Sequence, residues 1–436
     1  MPALVALADD FSGASDQAGM LANAGVASLL VLDERFPVGP EWEAVTVATR
    51  LRSVPVAQAQ AQARRLLNYA QALRPRMIQY KYCSTFDSTP RGNIGPILDV
   101  ALDTLELPGT AVVPALPVNG RTTYQGRHFV LGVPLDESPM RHHPLNPMTD
   151  ADLVRWLGRQ TRRPVGLIAY EIVEQGAKAI RKRLRELWAD GQPVVVVDCL
   201  SQRHVRLIAE AVADLRFISG SSALPMELPG VWREQGLLGP ARRLPHLLRR
   251  PANALVLALS GSCAAQTLAQ VRAAAQEFAV IRVDPGELLT GSPESVAASV
   301  LGRVRRRLRQ TEQVLVTTSQ TPRQRERVQQ EARQAGLEAR DLGLRIEALL
   351  GAVARLAHDE LGVRRFICAG GETSGAISQA LGLQAVEIIR ELDPGVPLCR
   401  ALPEREVAIA LKGGNFGRDE FFSHAAALAR RVQLDA

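Results

Sequence analysis

Apolar positions along this chain fall in short unbroken runs: "ALVALA", "ASLLVL", "MIQYKY", "TAVVPAL", "PVGLIAY", "PVVVVDC" and "RFISG". Strands covered on both faces read this way, and such strands build parallel sheets. Helical spacing fills the gaps between them. "QAGMLANAG" reads as a helix closing at Gly25. "VPVAQAQAQARRLLNYAQAL" reads as another, with Pro55 suited to its first turn. From about Ser221 to Ala252 the rhythm breaks into a stretch rich in Pro, Gly and Arg. It then restarts through "ALVLALSGSCAAQTLAQVRAA", "EFAVIRVD", "QVLVTTS", "RFICAGGETSGAISQALG" and "EVAIALKGGNFG". The expectation is two α/β domains, each a mostly parallel sheet flanked by helices: residues 1–235, a linker over 236–253, and residues 254–436.

Open sheets of this kind bind ligands where strands end and helices begin. Five polar, mostly glycine-bearing loops stand there: "ADDFSGASD", "YKYCSTFDSTPRGNIGP", "LSGSCA", "CAGGETSG" and "LKGGNFG". The active site is expected in a cleft between the two domains.

Bulk composition narrows the function. The 436 residues are 46% hydrophobic, enough for two ordinary cores. No run of about 18 apolar residues is present, so no membrane span is expected. The opening "MPALVALADDFSG" has no basic segment and reads as a first strand, not a signal peptide. Five cysteines without a CxxC pair point to reduced thiols and a cytosolic protein. The net charge is +7, but with 4% aromatics a stacking surface for nucleic acid is hard to build. "RKRLRELW" and "RVRRRLRQ" read as solvated helix faces, and the basic excess fits small anionic substrates. Lysine occurs only at Lys81, Lys178, Lys182 and Lys412. The middle two lie on an apparent surface helix. Lys81 and Lys412 stand in polar loops, where a compact ammonium meets oxygen clusters in a way a planar guanidinium does not.

The second-domain loops have the layout of a nucleotide-phosphate site. Ser260, Gly261 and Ser262 follow one strand. Gly370, Gly371, Glu372 and Thr373 follow another and open a helix that Thr373 or Ser374 would cap. Lys412, Gly413, Gly414 and Asn415 follow a third. Backbone N–H groups at such helix starts favour anions. None of the loops fits GxxxxGK[ST] or GxGxxG. In the first domain, Asp9 and Asp10 end the first strand, suited to sugar hydroxyls, a general base or a helix cap. Asp10 lies further past the strand and is the expected base, with Asp9 orienting substrate or capping the helix. Asp16 reads as a cap or surface residue, and Cys83 as a packed thiol. Lys81 and Arg91 offer cations, and Asp87, Ser88 and Asn93 offer partners for hydroxyls. Arg141 would add a substrate contact. The adjacent His142 and His143 lack a third ligand at metal spacing, so no protein metal site is expected.

Taken in order, "LADDFSGASD", "YKYCSTFDSTPRGNIGP", "GRTTYQGRHFV", "RHHPLNPMTD", "CAGGETSGA", "ELDPGVP" and "LKGGNFG" resemble the four-carbon acid sugar kinases over nearly the whole chain. The resemblance is greatest to the branch acting on 3-oxo-tetronate. It implies an acid-sugar domain followed by a nucleotide domain, with ATP and Mg²⁺ as cofactors. It also implies transfer of phosphate to the 4-hydroxyl. Asp10, Lys81 and Arg91 are the expected catalytic residues, and Asp9, Ser12, Asp87, Ser88, Asn93 and Arg141 the expected substrate contacts. Ser12 stands where many relatives have threonine, and Gly413 where many have serine. A threonate or erythronate kinase stays open as an alternative. So do a non-kinase enzyme using Lys81 as a Schiff base and a sugar-acid binding protein. A homodimer is allowed but not specified.

Overall fold

The computed structural model describes residues 1–143, 146–245, 247–249, 252 and 254–435. Pro144 and Leu145 of "RHHPLNPMTD", and His246, Arg250, Pro251 and Asn253 of the expected linker, lie outside them. The chain forms two compact units: Met1–Ser28 with Pro37–Arg243, and Leu29–Phe36 with Leu244–Ala436.

In the first unit the strands run side by side in the order Ala44–Ala48, Leu4–Ala8, Met77–Lys81, Phe217–Gly220, Thr110–Val113, Val194–Val197 and Val165–Ile168. All of these pairs are parallel, as the unbroken apolar runs require. One core joins Leu4, Val113, Val195, Ile208, Leu228 and Trp232. The expected break at Ser221 begins instead with a helix, Ala223–Glu234. Pro225 lies in its first turn, where no N–H bond is needed, and burial of Leu224, Leu228, Val231 and Trp232 holds the rest despite Pro229. A small antiparallel sheet, Arg121–Tyr124, Arg127–Val130 and Val133–Pro134, was not legible as strands. Its pieces are too short to show alternation. Its tight turn at Gln125 and Gly126, both at positive φ, is pinned by Asp198, which accepts their two N–H groups at 2.6 and 2.9 Å.

The second unit pairs Ala279–Arg282, Gln313–Thr317, Val256–Ser260, Arg365–Ala369 and Ala408–Lys412 in parallel. A hairpin, Val396–Leu402 with Ala385–Asp393, continues that sheet antiparallel. Beside the hairpin lies Ser28–Val31, with Leu29, Leu30 and Val31 opposite Glu387, Val386 and Ala385. From Leu29 on, the run "ASLLVL", expected in the first domain, is grouped with the second unit.

Candidate functional site

Register sets the first unit's site. Ala8 lies beside both Ala48 and Lys81, so the segments after these strands emerge on one edge. Asp9 is buried, and its two carboxylate oxygens accept from Arg52 Nε at 2.9 Å and Nη2 at 2.7 Å. Nη1 of the same guanidinium reaches Asp10 Oδ2 at 3.1 Å and Asp87 Oδ2 at 3.2 Å. One arginine thus gathers three carboxylates from two loops. Burial pushes the Asp9 carboxyl up to about 6, against the pull of Arg52. Burial alone would lower the Arg52 pKa, but Asp9 and Asp10 hold it well above the ordinary value.

Asp10, not Asp9, caps the first helix, Phe11–Asn23: its Oδ1 accepts from Gly13 N at 2.9 Å. The cap expectation for Asp9 fails because Arg52 already occupies both its oxygens. Asp10 keeps a quarter of its side chain exposed. Asp16, read as a cap or surface residue, is buried. Its Oδ2 accepts from Ser222 Oγ at 3.0 Å, while Oδ1 has no hydrogen-bond partner among the described residues. Burial raises its pKa, and the charge of buried Lys81 opposes that rise. The helix carrying it is buried nearly all round, which forces this carboxylate inward.

Gly13 makes room for the cluster. A Cβ there would lie 2.5 Å from Asp10 Oδ1 and 2.6 Å from Lys81 Nζ. In an unobstructed helix, alanine for glycine stabilises by about 1 kcal/mol. Here Gly13→Ala is expected to lower the melting temperature, because the carboxylate and the ammonium must both move. Thermal unfolding checks the sign.

The long polar loop is built as a cradle. Phe86 sits at φ 55°, a region an aromatic residue adopts only under constraint. Ser88 Oγ donates to Phe86 O and accepts from Trp156 Nε1 and Gln160 Nε2. Asn93 Nδ2 donates to Leu51 O at 2.6 Å and Val54 O at 2.8 Å. The Ser88 hydroxyl is therefore fully used, and the Asn93 amide nitrogen is committed to the Arg52 loop. His128, not among the expected site residues, bonds Ser84 O through Nε2 at 2.7 Å and Thr123 Oγ1 through Nδ1 at 3.0 Å. Burial lowers its pKa to about 4, so it stays neutral and pins the cradle to the small sheet. Asp9, Arg52, Tyr80, Asp87 and Asn146 line a small cavity here. Asp87 Oδ1 is buried without a hydrogen-bond partner among the described residues, with His143 Nδ1 3.9 Å away. Cys83 is half-buried, with Sγ 3.1 Å from Thr85 Oγ1. Ser12 is half-buried in the first helical turn. Arg91 is exposed and has no ion pair among the described residues; exposed Arg141 donates to Asp136 O at 3.0 Å. The structure does not bring these two arginines into the carboxylate cluster.

In the second unit, register sets Ser260, Ala369 and Lys412 side by side, so the three glycine loops meet. A Cβ on Gly261 would fall 2.5 Å from Thr373 Oγ1, and one on Gly414 2.6 Å from Ser262 Oγ. Gly370, at φ 127°, starts the helix Gly371–Ala380, and no side chain caps it. The capping expected from Thr373 or Ser374 is absent because both lie inside the helix. The neighbouring helix Ala265–Ala274 is likewise uncapped by a side chain. Lys412 is fully buried, and Nζ donates to Thr267 Oγ1 at 3.1 Å, Gly413 O at 2.8 Å and Gly414 O at 3.1 Å. All three protons are committed to neutral oxygens, so Lys412 shapes its loop rather than presenting a free ammonium. Burial lowers its pKa to about 8. Asn415 is exposed on that loop, and Ser260 Oγ bonds Ser319 Oγ at 2.8 Å.

The first unit offers a carboxylate–arginine–lysine cradle and the second offers uncapped glycine loops. The family model described as a sugar-binding N-terminal domain matches residues 4–228, and the one described as a nucleotide-binding C-terminal domain matches 257–422. The 3-oxo-tetronate kinase of Burkholderia multivorans is 40% identical over 425 residues, 97% of this chain and 96% of the relative. That of Pseudomonas savastanoi pv. phaseolicola is 38% identical over 428 residues, with coverage of 97% and 96%. A Salmonella typhimurium LT2 crystal structure, provisionally described as a tRNA synthase, matches with TM-score 0.83 at 34% identity. It covers 97% of this chain and 98% of its own. The chain belongs to the four-carbon acid sugar kinase family, and its reaction class is phosphoryl transfer to an alcohol. No helix among the described residues is long and apolar enough to cross a membrane.

Proposed function

We propose that this protein transfers the γ-phosphoryl group of ATP to the 4-hydroxyl of 3-oxo-tetronate, giving 3-oxo-tetronate 4-phosphate and ADP. The observation that carries the reading is Asp10, a part-exposed carboxylate at a strand end, held by Arg52 and beside Lys81. Its partly free oxygens take the hydroxyl proton as that oxygen attacks the γ-phosphorus and the bond to ADP breaks. Asp9, Asp10, Asp16 and Asp87 outnumber Arg52 and Lys81, so the cluster is formally net negative. It suits the hydroxyl end of the substrate and repels the carboxylate end. Exposed Arg91 and Arg141 are the cations left for that carboxylate, and Ser12 adds a hydroxyl beside Asp10.

The second unit's loops fit nucleotide phosphates. Two helix starts lack side-chain caps, and bare glycines let phosphate oxygens approach the backbone. Mg²⁺, when bound, neutralises charge on those phosphates. Glu372 is the one carboxylate within residues 260–262, 370–373 and 412–415. The choice of the 3-oxo acid rests on likeness to curated relatives along the whole chain. ADP release by purified protein with Mg-ATP, against 3-oxo-tetronates, threonates and erythronates of both hands, tests it. The highest kcat/KM is expected with a 3-oxo acid. A 3-hydroxy acid that proved the better substrate would shift the assignment within the family, and no ADP release with any acid would sink it.

Lys412→Arg is expected to raise the KM for ATP about tenfold or more, with the sugar-acid KM little changed. A guanidinium is too large for a fully buried site bounded by Thr267 and two carbonyls. Lys178→Arg and Lys182→Arg, on an exposed helix face, should be silent. Steady-state kinetics with each substrate varied in turn make the comparison.

A further inference from the structure

Strands Met77–Lys81 and Phe217–Gly220 lie side by side, with Lys81 opposite Gly220. Their carboxyl ends carry Lys81 and lead to Ser222, which holds Asp16. Their amino ends open on a cavity of about 290 Å³, lined by Arg74, Arg76 and Arg216 with Gln71, Ile78 and Leu105. Among the described residues no carboxylate pairs with any of these three guanidiniums. Other arginines of this unit do have carboxylate partners: Arg155 has Asp150, Arg163 has Asp99 and Asp103, and Arg206 has Glu210. Asp214, close to Arg216 in sequence, turns to Arg181 at 3.9 Å. Arg74 also occupies a left-handed position, φ 52°, just past the helix Val56–Ala72, where glycine costs least.

Three exposed guanidiniums around one concavity, none with a carboxylate partner among the described residues, make a local positive field that favours an anion. Arginine forks match phosphate oxygens two at a time, and the apolar walls of Ile78 and Leu105 leave room for a small organic body. We propose that this cavity is a second anion site, taking a phosphate dianion, either free or as a small phosphomonoester. It lies at the far end of the strand that carries Lys81, roughly 13 Å away at about 3.3 Å per residue. None of its lining residues belongs to the loops that would take nucleotide phosphates.

The test is binding of inorganic phosphate to the full chain, followed by phosphorus NMR with ADP at saturation to occupy the nucleotide loops. Glycerol 3-phosphate serves as a second arm. Binding is expected to persist under ADP and to weaken at least tenfold in the double variant Arg76→Ala/Arg216→Ala. Arg76→Lys/Arg216→Lys should fall between. Both arginines are exposed, so unchanged thermal unfolding of the variants confirms that they fold. Tighter binding of glycerol 3-phosphate assigns the site to phosphomonoesters, and equal or weaker binding to free phosphate. Loss of binding under ADP, an unaltered affinity in the double variant, or no binding of either probe at 10-millimolar order (~10 mM, well above the range of specific sites) overturns the proposal.

Discussion

Arg52→Met is expected to cost the protein both stability and turnover, more than any other single change in the first unit. The guanidinium holds Asp9 through two hydrogen bonds and reaches Asp10 and Asp87 through a third nitrogen. Removing it leaves a buried carboxylate pair without its cation, a loss on the scale of about 3–5 kcal/mol. For a unit of this size that corresponds to a fall of roughly 10 °C in melting temperature. Turnover should drop by more than about 10², because Asp10 and Asp87 lose the group that spaces them. Arg52→Lys should fall between: an ammonium keeps the charge but cannot fork across three carboxylates. The deficit has a definite pH dependence. Asp9 already titrates at about 6, above the ordinary carboxylate value, because it is buried. Without Arg52 its folded pKa rises further. A carboxylate raised on folding contributes most below its unfolded pKa, and that contribution is lost as pH climbs through the folded value. The stability gap between Arg52→Met and the parent should therefore widen from pH 5 to pH 8. Thermal melts across that range measure it, and a gap that stayed flat would mean Arg52 is not the counter-ion of Asp9.

Arg52 was invisible in the sequence for a reason of composition. Lysine is so scarce that Lys81 and Lys412 stood out, whereas one arginine in "RLRSVP" looked like many others. Its role depends on the register that sets Ala44–Ala48 beside Leu4–Ala8, and register is not written in a motif. Asp16 had a usable signal. "SGASDQAGMLANAG" is so poor in charge that the helix had to be buried on most sides, which leaves its one carboxylate nowhere exposed to go. The glycine loops were legible because strand–Gly–helix order is local. Their convergence follows from neighbouring strands ending in step. The opposite holds for one pairing of Ser28–Val31: its apolar run announces a strand, but the Ala385–Asp393 strand beside it lies more than 350 residues away. Lys412 shows a subtler limit. Its rarity marked it correctly as special, yet only the geometry reveals that its three protons are spent on Thr267 and two carbonyls.

Asp10→Asn is expected to lower kcat by about 10² or more, the usual scale for a lost general base, and to leave folding nearly intact. The substitution separates chemistry from structure because asparagine caps helices as well as aspartate does. The amide oxygen can still accept from Gly13 N, so the start of Phe11–Asn23 survives. What disappears is the negative charge beside Arg52 Nη1 and the capacity to take a proton. The sugar-acid KM should change by no more than a few-fold. Asp9→Asn should behave differently. Both Asp9 oxygens are committed to Arg52, so an amide there breaks the fork, leaves the guanidinium turned toward an N–H donor, and lowers stability as well as rate. The two variants also part in their pH profiles. Arg52 is fixed by ionised Asp9, so kcat/KM of the parent should rise through about pH 6, where Asp9 gives up its proton. Asp9→Asn should lose that limb, and Asp10→Asn should keep it on a depressed plateau. If instead Asp9→Asn melts like the parent and loses turnover, while Asp10→Asn turns over normally, Asp9 is the base and Asp10 only the cap. If both variants retain parental kcat, the proposed base is neither residue, and the partly free Asp87 oxygen, buried without a hydrogen-bond partner among the described residues, is the next carboxylate to replace.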